Sequence, residues 1–356
     1  MKFIAVIADA AGDAGDGLEV RPRYPRCRTG MKFSAAIAVC ILLLFSHARA
    51  DLLQRAEVIS FINDMVAEYG YEATELNDVL GRVELSEKVI AAITRPAEAF
   101  PWHRYRAIFI KPGRIKGGAE FWRRNQAQLE RAAEKYGVPV EILVAVIGVE
   151  TKYGRITGGF KVINSLSTLA FDYPKRSRFF TSELKHFLLL AREQSLDPHT
   201  LAGSYAGAMG IPQFMPSSYR AYAVDFDDDG LTDIWDNPAD AIGSVGNYLK
   251  EHGWRKGAGI TSPATVPDSD ISALLTKGLE PKLAVADMTE AGVTAGTELD
   301  ASEKVKLLEL ENRDGNEYWL ARHNFYVITR YNHSALYAMA VYQLAEAIRA
   351  QYQTGT

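Results

Sequence analysis

Cysteine is nearly absent from this chain of 356 residues, which holds two, and both precede residue 51. A disulfide framework, a cysteine zinc site and a thiol nucleophile are therefore excluded from the rest of the chain. An excess of one charge is absent as well, because 40 Lys and Arg residues stand against 44 Asp and Glu residues, a net charge of −4. No block of basic residues is interleaved with aromatic residues, so nothing favours a nucleic-acid partner.

The signatures of several large enzyme classes are also missing. The sequence has no His-Glu-x-x-His pair, no Gly-x-Ser-x-Gly elbow, no phosphate-binding loop and no Gly-x-Gly-x-x-Gly turn. These absences disfavour zinc proteases, serine hydrolases, kinases and nucleotide-binding dehydrogenases. What is present is an ordinary globular composition, 47% apolar and 24% charged. The chain is long enough for about two or three domains.

Residues 1–50 are predicted to be upstream sequence plus a signal peptide that the mature protein lacks. Met31 is a second start, Lys32 supplies a positive charge, and the 11 residues 35–45 are all apolar. The Ala-Arg-Ala motif at 48–50 matches the small-x-small cleavage rule, so we expect the mature chain to begin at Asp51. An apolar run of 11 residues is too short to span a bilayer, which takes about 20.

The leader leaves a lipid anchor on Cys40 as an alternative, which the bulky Val39 disfavours. If translation begins at Met31, residues 1–30 are upstream sequence that the choice of an early start codon has included. Removal of residues 1–50 leaves a net charge of −7 and no cysteine. We therefore expect a periplasmic protein that is stable without disulfides, with association with the outer membrane left open.

Breaks in composition predict four regions after the leader, in a mainly α (α+β) fold. Residues 51–135 show helical spacing and form an N-terminal α domain, and 136–256 form a catalytic core with the acidic loop described below. Residues 257–322 form a small β domain, in which Asp314-Gly315 is a hairpin signal. Residues 323–356 return to the core and end in an amphipathic helix.

Glu150 ends a nearly continuous apolar run over residues 140–149, which we interpret as a buried helix because Pro139 precedes it. Desolvation by this run and the negative end of the helix dipole would both favour the protonated carboxyl. A carboxylic acid that stays neutral is what a general acid needs. The alternative is a structural ion pair of Glu150 with Lys152 or Arg155.

A second motif, residues 203–219, combines small residues with Gln213 and several hydroxyl groups. Small residues let the backbone approach a ligand closely, and the polar groups offer hydrogen bonds. The alternative is a turn-rich connector between helices, and composition does not decide between the two.

The acidic loop, residues 225–236, predicts a calcium site of the EF-hand type. Oxygen ligands at positions 1, 3 and 5, a glycine at position 6 and a carbonyl at position 7 match that loop: Asp225, Asp227, Asp229, Gly230 and Leu231. Position 12 carries Asp236 instead of the usual Glu, which leaves the closing ligand open between Asp236 and Asp240. The alternative is a solvated acidic loop without a cation.

Together, these motifs closely resemble the membrane-bound lytic murein transglycosylase B family. The segments are Gly-Val-Glu-Thr-Lys-Tyr-Gly at 148–154, the 203–219 motif, Asp-Ala-Ile-Gly-Ser at 240–244 and Asn-Phe-Tyr-Val-Ile-Thr-Arg-Tyr-Asn-His-Ser at 324–334. The resemblance extends over residues 55–350 and implies a lysozyme-like helical core with an N-terminal α domain, a small β domain and a structural Ca²⁺. It also implies cleavage of the MurNAc–GlcNAc β-1,4 bond of peptidoglycan with formation of 1,6-anhydroMurNAc.

The resemblance further implies a role for each matching residue. Glu150 matches the single catalytic acid/base. The calcium ligands would be Asp225, Asp227, Asp229, the Leu231 carbonyl and Asp240. The residues that contact the glycan would be Tyr105, Lys175, Arg176, Ser204, Gln213, Tyr248, Tyr331, Asn332 and Tyr337. Two positions depart from the family, because Lys175 stands where relatives have Arg and Phe179 where a relative has Tyr.

One carboxyl is enough if the 6-hydroxyl of the muramic residue attacks its own C1, since no water then needs activation. The alternatives are a muramidase, in which Asp172 or Glu183 would be the second carboxylate, and a non-catalytic peptidoglycan-binding protein. We expect glycan strands as the partner, no organic cofactor, and a monomer. Partners in cell-wall synthesis or division, the preference for chain ends or interiors, and the choice of peptide stems are left open.

Overall fold

The computed structural model describes residues 52–94 and 100–355. The predicted leader, its cleavage site after Ala50 and Cys40 lie outside the described residues. Within the described ranges, no helix combines the length and the apolar character needed to cross a membrane.

Helices make up most of the described chain. In chain order they are α1 Ala56–Tyr69, α2 Ala73–Gly81, α3 Glu87–Thr94, α4 Trp102–Phe109, α5 Pro112–Arg124, α6 Gln126–Tyr136, α7 Val140–Thr151, α8 Val162–Asp172, α9 Ser177–Glu193, α10 Pro216–Tyr222, α11 Pro238–Glu251, α12 Val285–Glu290, α13 His323–Tyr331 and α14 Ala335–Gln353. The strands are β1 Phe160–Lys161, β2 Ala202–Gly203, β3 Thr261–Thr265, β4 Leu283–Ala284, β5 Thr294–Ala295, β6 Lys304–Asn312 and β7 Gly315–Ala321. Short 3₁₀ turns lie at Pro174–Arg176 and Ser272–Leu274.

Contacts divide the described chain into two units. The helical unit comprises residues 52–94 and 161–201, and the core unit comprises residues 100–160 and 202–355. The core unit therefore contains Glu150, the 203–219 motif, the acidic loop and the β strands from β3 onward.

Contacts between residues far apart in sequence hold the helical unit together. The Tyr71 hydroxyl donates to the Leu188 carbonyl at 2.7 Å, and Arg55 forms an ion pair with Asp172 at 2.7 Å. On α9, one face is buried and carries Phe180, Leu184, Phe187 and Leu188. This spacing of three or four residues buries one side of the helix.

Helix α7 lies in the interior of the core unit, and every residue from Ile142 to Thr151 is buried. It begins after Pro139, and the burial of its Val and Ile side chains outweighs the low helix propensity of β-branched residues, so the predicted buried helix is confirmed. Helices α5 and α14 pack against it. Helix α14 begins at a cap in which the Ser334 hydroxyl accepts the Tyr337 N–H.

The five-stranded antiparallel sheet has the strand order β4-β6-β7-β3-β5. Strands β6 and β7 form the predicted hairpin, in which Asn312 pairs with Gly315 across a two-residue turn. Gly315 has φ 125°, a backbone conformation that favours glycine. Helix α12 and the sheet share an apolar core: Val285, Met288, Val293, Val305, Leu307 and Leu320. A mainly α fold with a small β module is therefore confirmed.

The division into units differs from the boundaries predicted at residues 135, 256 and 322. Residues 161–201, predicted to be catalytic core, group with residues 52–94. Residues 100–135, predicted to be N-terminal domain, group with α7. The reason is physical, because amphipathic helices reveal which face they bury but not which distant segment covers it.

The packing around α7 predicts that two glycine-to-alanine substitutions differ in their effect on stability. A Cβ at Gly148 would lie 2.5 Å from the Tyr153 ring, whereas a Cβ at the exposed Gly113 of α5 meets nothing within 4 Å. We expect Gly148→Ala to lower the free energy of unfolding by about 1–3 kcal/mol through overpacking. Gly113→Ala should be neutral or stabilising by up to about 1 kcal/mol. Urea unfolding of both variants checks this, and equal midpoints would contradict it.

Candidate active site

Glu150 lies in the last turn of α7 with its side chain enclosed by protein, since the residue is 1% exposed. The helix ends immediately afterwards because Lys152 and Tyr153 take left-handed backbone conformations, with φ of 50° and 64°. This turn folds Tyr153 back against Gly148, so the carboxyl is held at a fixed point on the helix end.

Two hydrogen bonds brace this helix end from α5. The Arg114 guanidinium donates to the Gly148 carbonyl at 2.6 Å, and the Tyr153 hydroxyl donates to the Arg114 carbonyl at 2.7 Å. Arg114 is buried, and burial lowers the pKa of its guanidinium. The Gly148 carbonyl also accepts the Lys152 N–H at 3.2 Å, so the charged donor adds a second hydrogen bond at the helix end.

A tyrosine hydroxyl holds the Glu150 carboxyl. The Tyr337 hydroxyl donates to Glu150 Oε1 at 2.7 Å, and the rings of Tyr337 and Tyr331 lie parallel, 6.4 Å apart. Burial, aided by the Glu150 charge, raises the pKa of both tyrosines well above the ordinary value. Tyr337 therefore keeps its proton at any physiological pH and remains a donor to Glu150.

The charge of Glu150 also acts on two further tyrosines, Tyr105 and Tyr248. Burial raises the pKa of Tyr105 and of Tyr248, and the charge of Glu150 contributes in both cases. Tyr105 lies on α4, with its ring between those of Trp102 and Phe109. The structure thus brings Tyr105, Tyr248, Tyr331 and Tyr337 around Glu150.

The hydroxyls of Tyr248 and Tyr331 also brace the backbone. Tyr248 donates to the Arg330 carbonyl at 2.6 Å, and Tyr331 donates to the Pro212 carbonyl at 2.5 Å. These bonds tie α11 to α13 and α13 to the 203–219 motif. Both tyrosines are almost fully buried, at 4% and 1% exposed, so they support the walls of the site.

The 203–219 motif is anchored to the end of α7. Thr151 Oγ1 donates to the Ile211 carbonyl at 2.9 Å and accepts the Gly154 N–H at 3.0 Å. Gln213 has φ 51° and donates through Nε2 to the carbonyls of Thr157 and Gly210, at 3.0 and 2.9 Å. Gln213 Oε1 is buried and has no hydrogen-bond partner among the described residues.

Ser204 and Asn332 complete the polar set. Ser204 Oγ accepts the N–H groups of Ala206 and Ala208 at 3.3 and 3.0 Å, which leaves its hydroxyl proton to donate. Asn332 follows α13 and is 6% exposed, and its side-chain amide bonds to no residue in the described part of the chain. Together with Gln213, these side chains leave hydrogen-bond donors and acceptors unused. Such an arrangement suits a ligand that is rich in hydroxyl groups.

The acidic loop folds around its own carboxylates. One oxygen each of Asp225, Asp227 and Asp229 lie within 4.8 Å of one another. Asp225 accepts the Gly230 N–H at 2.8 Å, and Asp229 accepts the Leu231 N–H at 2.8 Å. Three carboxylates this close repel one another, and oxygen ligands of this kind are those that Ca²⁺ prefers.

Asp240 ties both ends of the acidic loop together. It is 0% exposed, and its two oxygens accept the N–H groups of Phe226 and Asp233, each at 2.7 Å. Burial raises the pKa of Asp240, and the charges of Asp227 and Asp225 add to the rise. The three-carboxylate group does not include Asp240, so its role as a metal ligand stays a prediction.

Comparison with known proteins assigns the family. Residues 54–346 match the model of the transglycosylase SLT domain. Membrane-bound lytic murein transglycosylase B of Escherichia coli (strain K12) is 41% identical over 308 residues, 84% of each chain. The chain belongs to the transglycosylase SLT domain family.

Solved structures of family members superpose on the described fold. The catenated lytic transglycosylase SltB1 from Pseudomonas aeruginosa is 48% identical, with a TM-score of 0.81 over 84% of this chain and 98% of that one. The E. coli lytic transglycosylase Slt35 in complex with calcium is 41% identical, with a TM-score of 0.78 over 85% and 95%. The resemblance and the predicted lysozyme-like fold class are confirmed.

Some sequence-predicted residues of this family member lie outside the core unit. Lys175 and Arg176 form a 3₁₀ turn in the helical unit, where the Arg176 guanidinium lies over the Phe179 ring at 4.3 Å. Asp172 and Glu183, the candidates for a second carboxylate, belong to the same unit. A glycan role for Lys175 and Arg176 stays a prediction.

Sequence reasoning missed the residues that position Glu150. Arg114, Thr151 and Tyr153 fix the helix end, yet none of them was singled out. The glycines of α5 were the sequence feature that could have indicated this packing. A Cβ at Gly118 would lie 2.7 Å from the Tyr153 hydroxyl, so only glycine lets the two approach. A glycine within a helical stretch indicates such a close approach.

The hydrogen bond from Tyr337 predicts a change in how Glu150 titrates. A donor to a carboxylate favours the ionised form, so Tyr337→Phe should raise the proton affinity of the Glu150 carboxyl by about tenfold. The matched control is Tyr331→Phe, whose hydroxyl bonds to a backbone carbonyl instead. NMR titration of carbon-13-labelled glutamate measures both, and an unshifted Glu150 titration in Tyr337→Phe would contradict the expected result.

Proposed function

We propose that Glu150 is the single catalytic acid/base of a lytic transglycosylase that cleaves the MurNAc–GlcNAc β-1,4 bond of peptidoglycan. The product end is 1,6-anhydroMurNAc. The observation that carries the proposal is a buried carboxyl at a helix end, held by a neutral tyrosine donor and flanked by unused polar groups. Its membership of a transglycosylase family, with relatives named as lytic murein transglycosylases, supports the reaction class.

The reaction uses the same carboxyl twice. In the first step protonated Glu150 gives its proton to the glycosidic oxygen, and the bond between that oxygen and C1 of MurNAc breaks. In the second step the C6 hydroxyl of the same MurNAc bonds to C1 and gives its proton to the Glu150 carboxylate. The enzyme regains its starting protonation state, and no water is consumed.

Tyr337 keeps the Glu150 carboxyl in one orientation through both steps. Its hydroxyl bonds Oε1 at 2.7 Å, and its raised pKa prevents it from competing as an acid. A donor to Glu150 stabilises the carboxylate that exists between the two proton transfers. Tyr337 thus favours the charged intermediate state of the enzyme without supplying the proton.

The scarcity of buried acids favours this reaction over hydrolysis. Among the described residues of the core unit, Glu150 and Asp240 are the buried acids, and both oxygens of Asp240 already accept backbone N–H groups. A hydrolase of the usual kind needs a second carboxylate to activate water or form a covalent intermediate. The muramidase alternative is therefore less well supported.

The polar groups around Glu150 would bind the glycan. Ser204 has a proton to donate, while Gln213 Oε1 and the Asn332 amide have polar atoms that sugar hydroxyls and N-acetyl groups satisfy. Tyr105 would border the bound glycan, and the more deeply buried Tyr248 and Tyr331 would support the wall behind it. For Lys175 and Arg176, the proposed role is contact with the anionic part of the substrate.

Calcium would hold the acidic loop. The ligands would be Asp225, Asp227, Asp229 and the Leu231 carbonyl, with Asp240 fastening both ends of the loop and completing the set. The close approach of three carboxylates supports a divalent cation, and the relative Slt35 has been solved with calcium. Its charge would offset the repulsion between the carboxylates and keep the adjoining helix α11 in place.

Peptidoglycan lies outside the cytoplasmic membrane, so this activity needs an exported enzyme. The predicted signal peptide supplies the export, and the relative named as membrane-bound supports a location at the envelope. We propose a periplasmic monomer that acts on glycan strands, with association with the outer membrane as the finer possibility to be tested by fractionation.

Removing the proton of Glu150 tests the proposed role. Glu150→Gln keeps the shape of the side chain but cannot donate a proton, so turnover of purified peptidoglycan should fall by at least about 10²-fold. Binding of the glycan should survive because Gln213 and the aromatic residues remain. The matched control is Glu141→Gln in the first turn of α7. Near-normal turnover by Glu150→Gln would remove Glu150 from the mechanism.

The calcium proposal predicts a melting shift. Binding to the native state at a hundredfold excess over Kd adds about 2.7 kcal/mol, so Ca²⁺ should raise Tm and a chelator should lower it. Asp225→Asn should abolish the response, because the first position of such a loop requires Asp. The matched control is Asp228→Asn, because Asp228 is an exposed neighbour outside the three-carboxylate group. A Tm indifferent to Ca²⁺ and to the chelator would overturn the proposal.

A further inference from the structure

A second concave site lies in the core unit, beside helix α4. The cleft has a volume of about 460 Å³ and lies between the start of α4 and the turn of the β6–β7 hairpin. His103 and Arg106 line it from α4, and Arg313 and Asp314 line it from the turn. We call it the α4–hairpin cleft. None of the residues discussed above as catalytic, glycan-contacting or calcium-binding lines it.

The charges of the α4–hairpin cleft are not neutralised within the protein. Arg106, Arg313 and Asp314 form no ion pair with another residue in the described ranges. The fold therefore holds two guanidinium groups in one concavity with a single carboxylate. Two like charges repel, so this arrangement favours an anion that bridges them.

The acidic residues nearby in the hairpin are already occupied. Glu317 Oε2 accepts the Asn312 amide at 2.8 Å, and Glu309 Oε1 accepts the Asn316 amide at 2.8 Å. These bonds pin the turn on both sides of Arg313 and Asp314. The turn therefore holds the Arg313 guanidinium and the Asp314 carboxylate at the cleft. Neither Glu309 nor Glu317 forms an ion pair with Arg313.

His103 adds a further hydrogen-bonding group. Its Nδ1 atom is buried and has no hydrogen-bond partner among the residues that the structure describes. His103 and Arg106 are three residues apart on α4, so their side chains are neighbours on one face of the helix. An orphaned polar atom beside two guanidinium groups indicates a polar ligand, because such atoms are otherwise satisfied.

Helix α4 connects this cleft to the catalytic carboxyl. Tyr105 lies on this same eight-residue helix, and α4 packs against α14, the helix that carries Tyr337. A helix of eight residues spans about 12 Å, so Arg106 lies within reach of a stem carried by a glycan that is bound at Glu150. In peptidoglycan, the substituent on each muramic residue is a peptide stem with free carboxylates.

We propose that the α4–hairpin cleft binds the free carboxylate of a peptide stem carried by the bound glycan. Arg106 and Arg313 receive the carboxylate, His103 bonds to the stem, and Asp314 receives an amino group on the same amino-acid end. The proposal rests on the proposed function, since it needs a peptidoglycan substrate. It gives the enzyme a preference for strands that carry stems.

The test compares two substrates, glycan strands with their peptide stems and the same strands after an amidase has removed the stems. For the double variant Arg106→Gln/Arg313→Gln, KM on stem-bearing strands should rise about tenfold, the scale of lost charge-assisted hydrogen bonds. On stem-free strands, wild type and variant should have equal KM and kcat. Both arginines are exposed, so the variant should melt like wild type.

The matched control is Arg104→Gln, because Arg104 is an exposed arginine of α4 that does not line the cleft. Its KM should match wild type on both substrates. Equal loss by the double variant on both substrates, or no loss on either, overturns the proposal. Wild type that releases no anhydro product from either substrate would count against the proposed function instead, and thus separates the two failures.

Direct binding distinguishes a stem from any small anion. The isolated stem peptide, titrated into wild-type protein, should shift the NMR signals of Arg106 and Arg313, and the double variant should lose these shifts. The probe for a general anion site is inorganic phosphate. If phosphate produces the same shifts at the same concentration, the cleft is a non-selective anion site and the proposal is wrong.

Discussion

The burial of one carboxyl at the end of a helix is the constraint on which the rest of the site depends. Glu150 is 1% exposed, and an ionised carboxylate in such a place is costly unless donors surround it. Tyr337 supplies one donor at 2.7 Å, and its own burial keeps that donor protonated. The balance lets a single group exist in both protonation states, which an acid/base must do.

The two buried acids of the described core unit are treated in contrasting ways. Asp240 accepts two backbone N–H groups and serves the acidic loop, so it is a fixed structural acceptor. Glu150 is held by a tyrosine hydroxyl and lies beside residues with unused polar atoms, among them Gln213. The environment, rather than the residue type, separates a loop fastener from a catalytic group.

The sequence predicted those features that are local. The apolar run before Glu150 predicted α7, Asp314-Gly315 predicted the hairpin, and the acid spacing predicted three carboxylates that converge. The division of the chain was not predictable, because residues 161–201 pack on residues 52–94 through contacts that leave no trace in either segment alone. The directions of the tyrosine hydroxyls were equally hidden, since Tyr248 and Tyr331 bond to carbonyls that only the fold brings close.

The most direct test of single-carboxyl catalysis is to digest purified peptidoglycan in water enriched in oxygen-18 and to determine the masses of the products by mass spectrometry. If the 6-hydroxyl of MurNAc closes the ring, every new muramic end is an anhydro end, lighter by one water than the hydrolysed form. Such ends contain no oxygen-18 and do not react with borohydride. Reducible muramic ends that carry one oxygen-18 would show that water attacks C1, and would contradict catalysis by Glu150 alone.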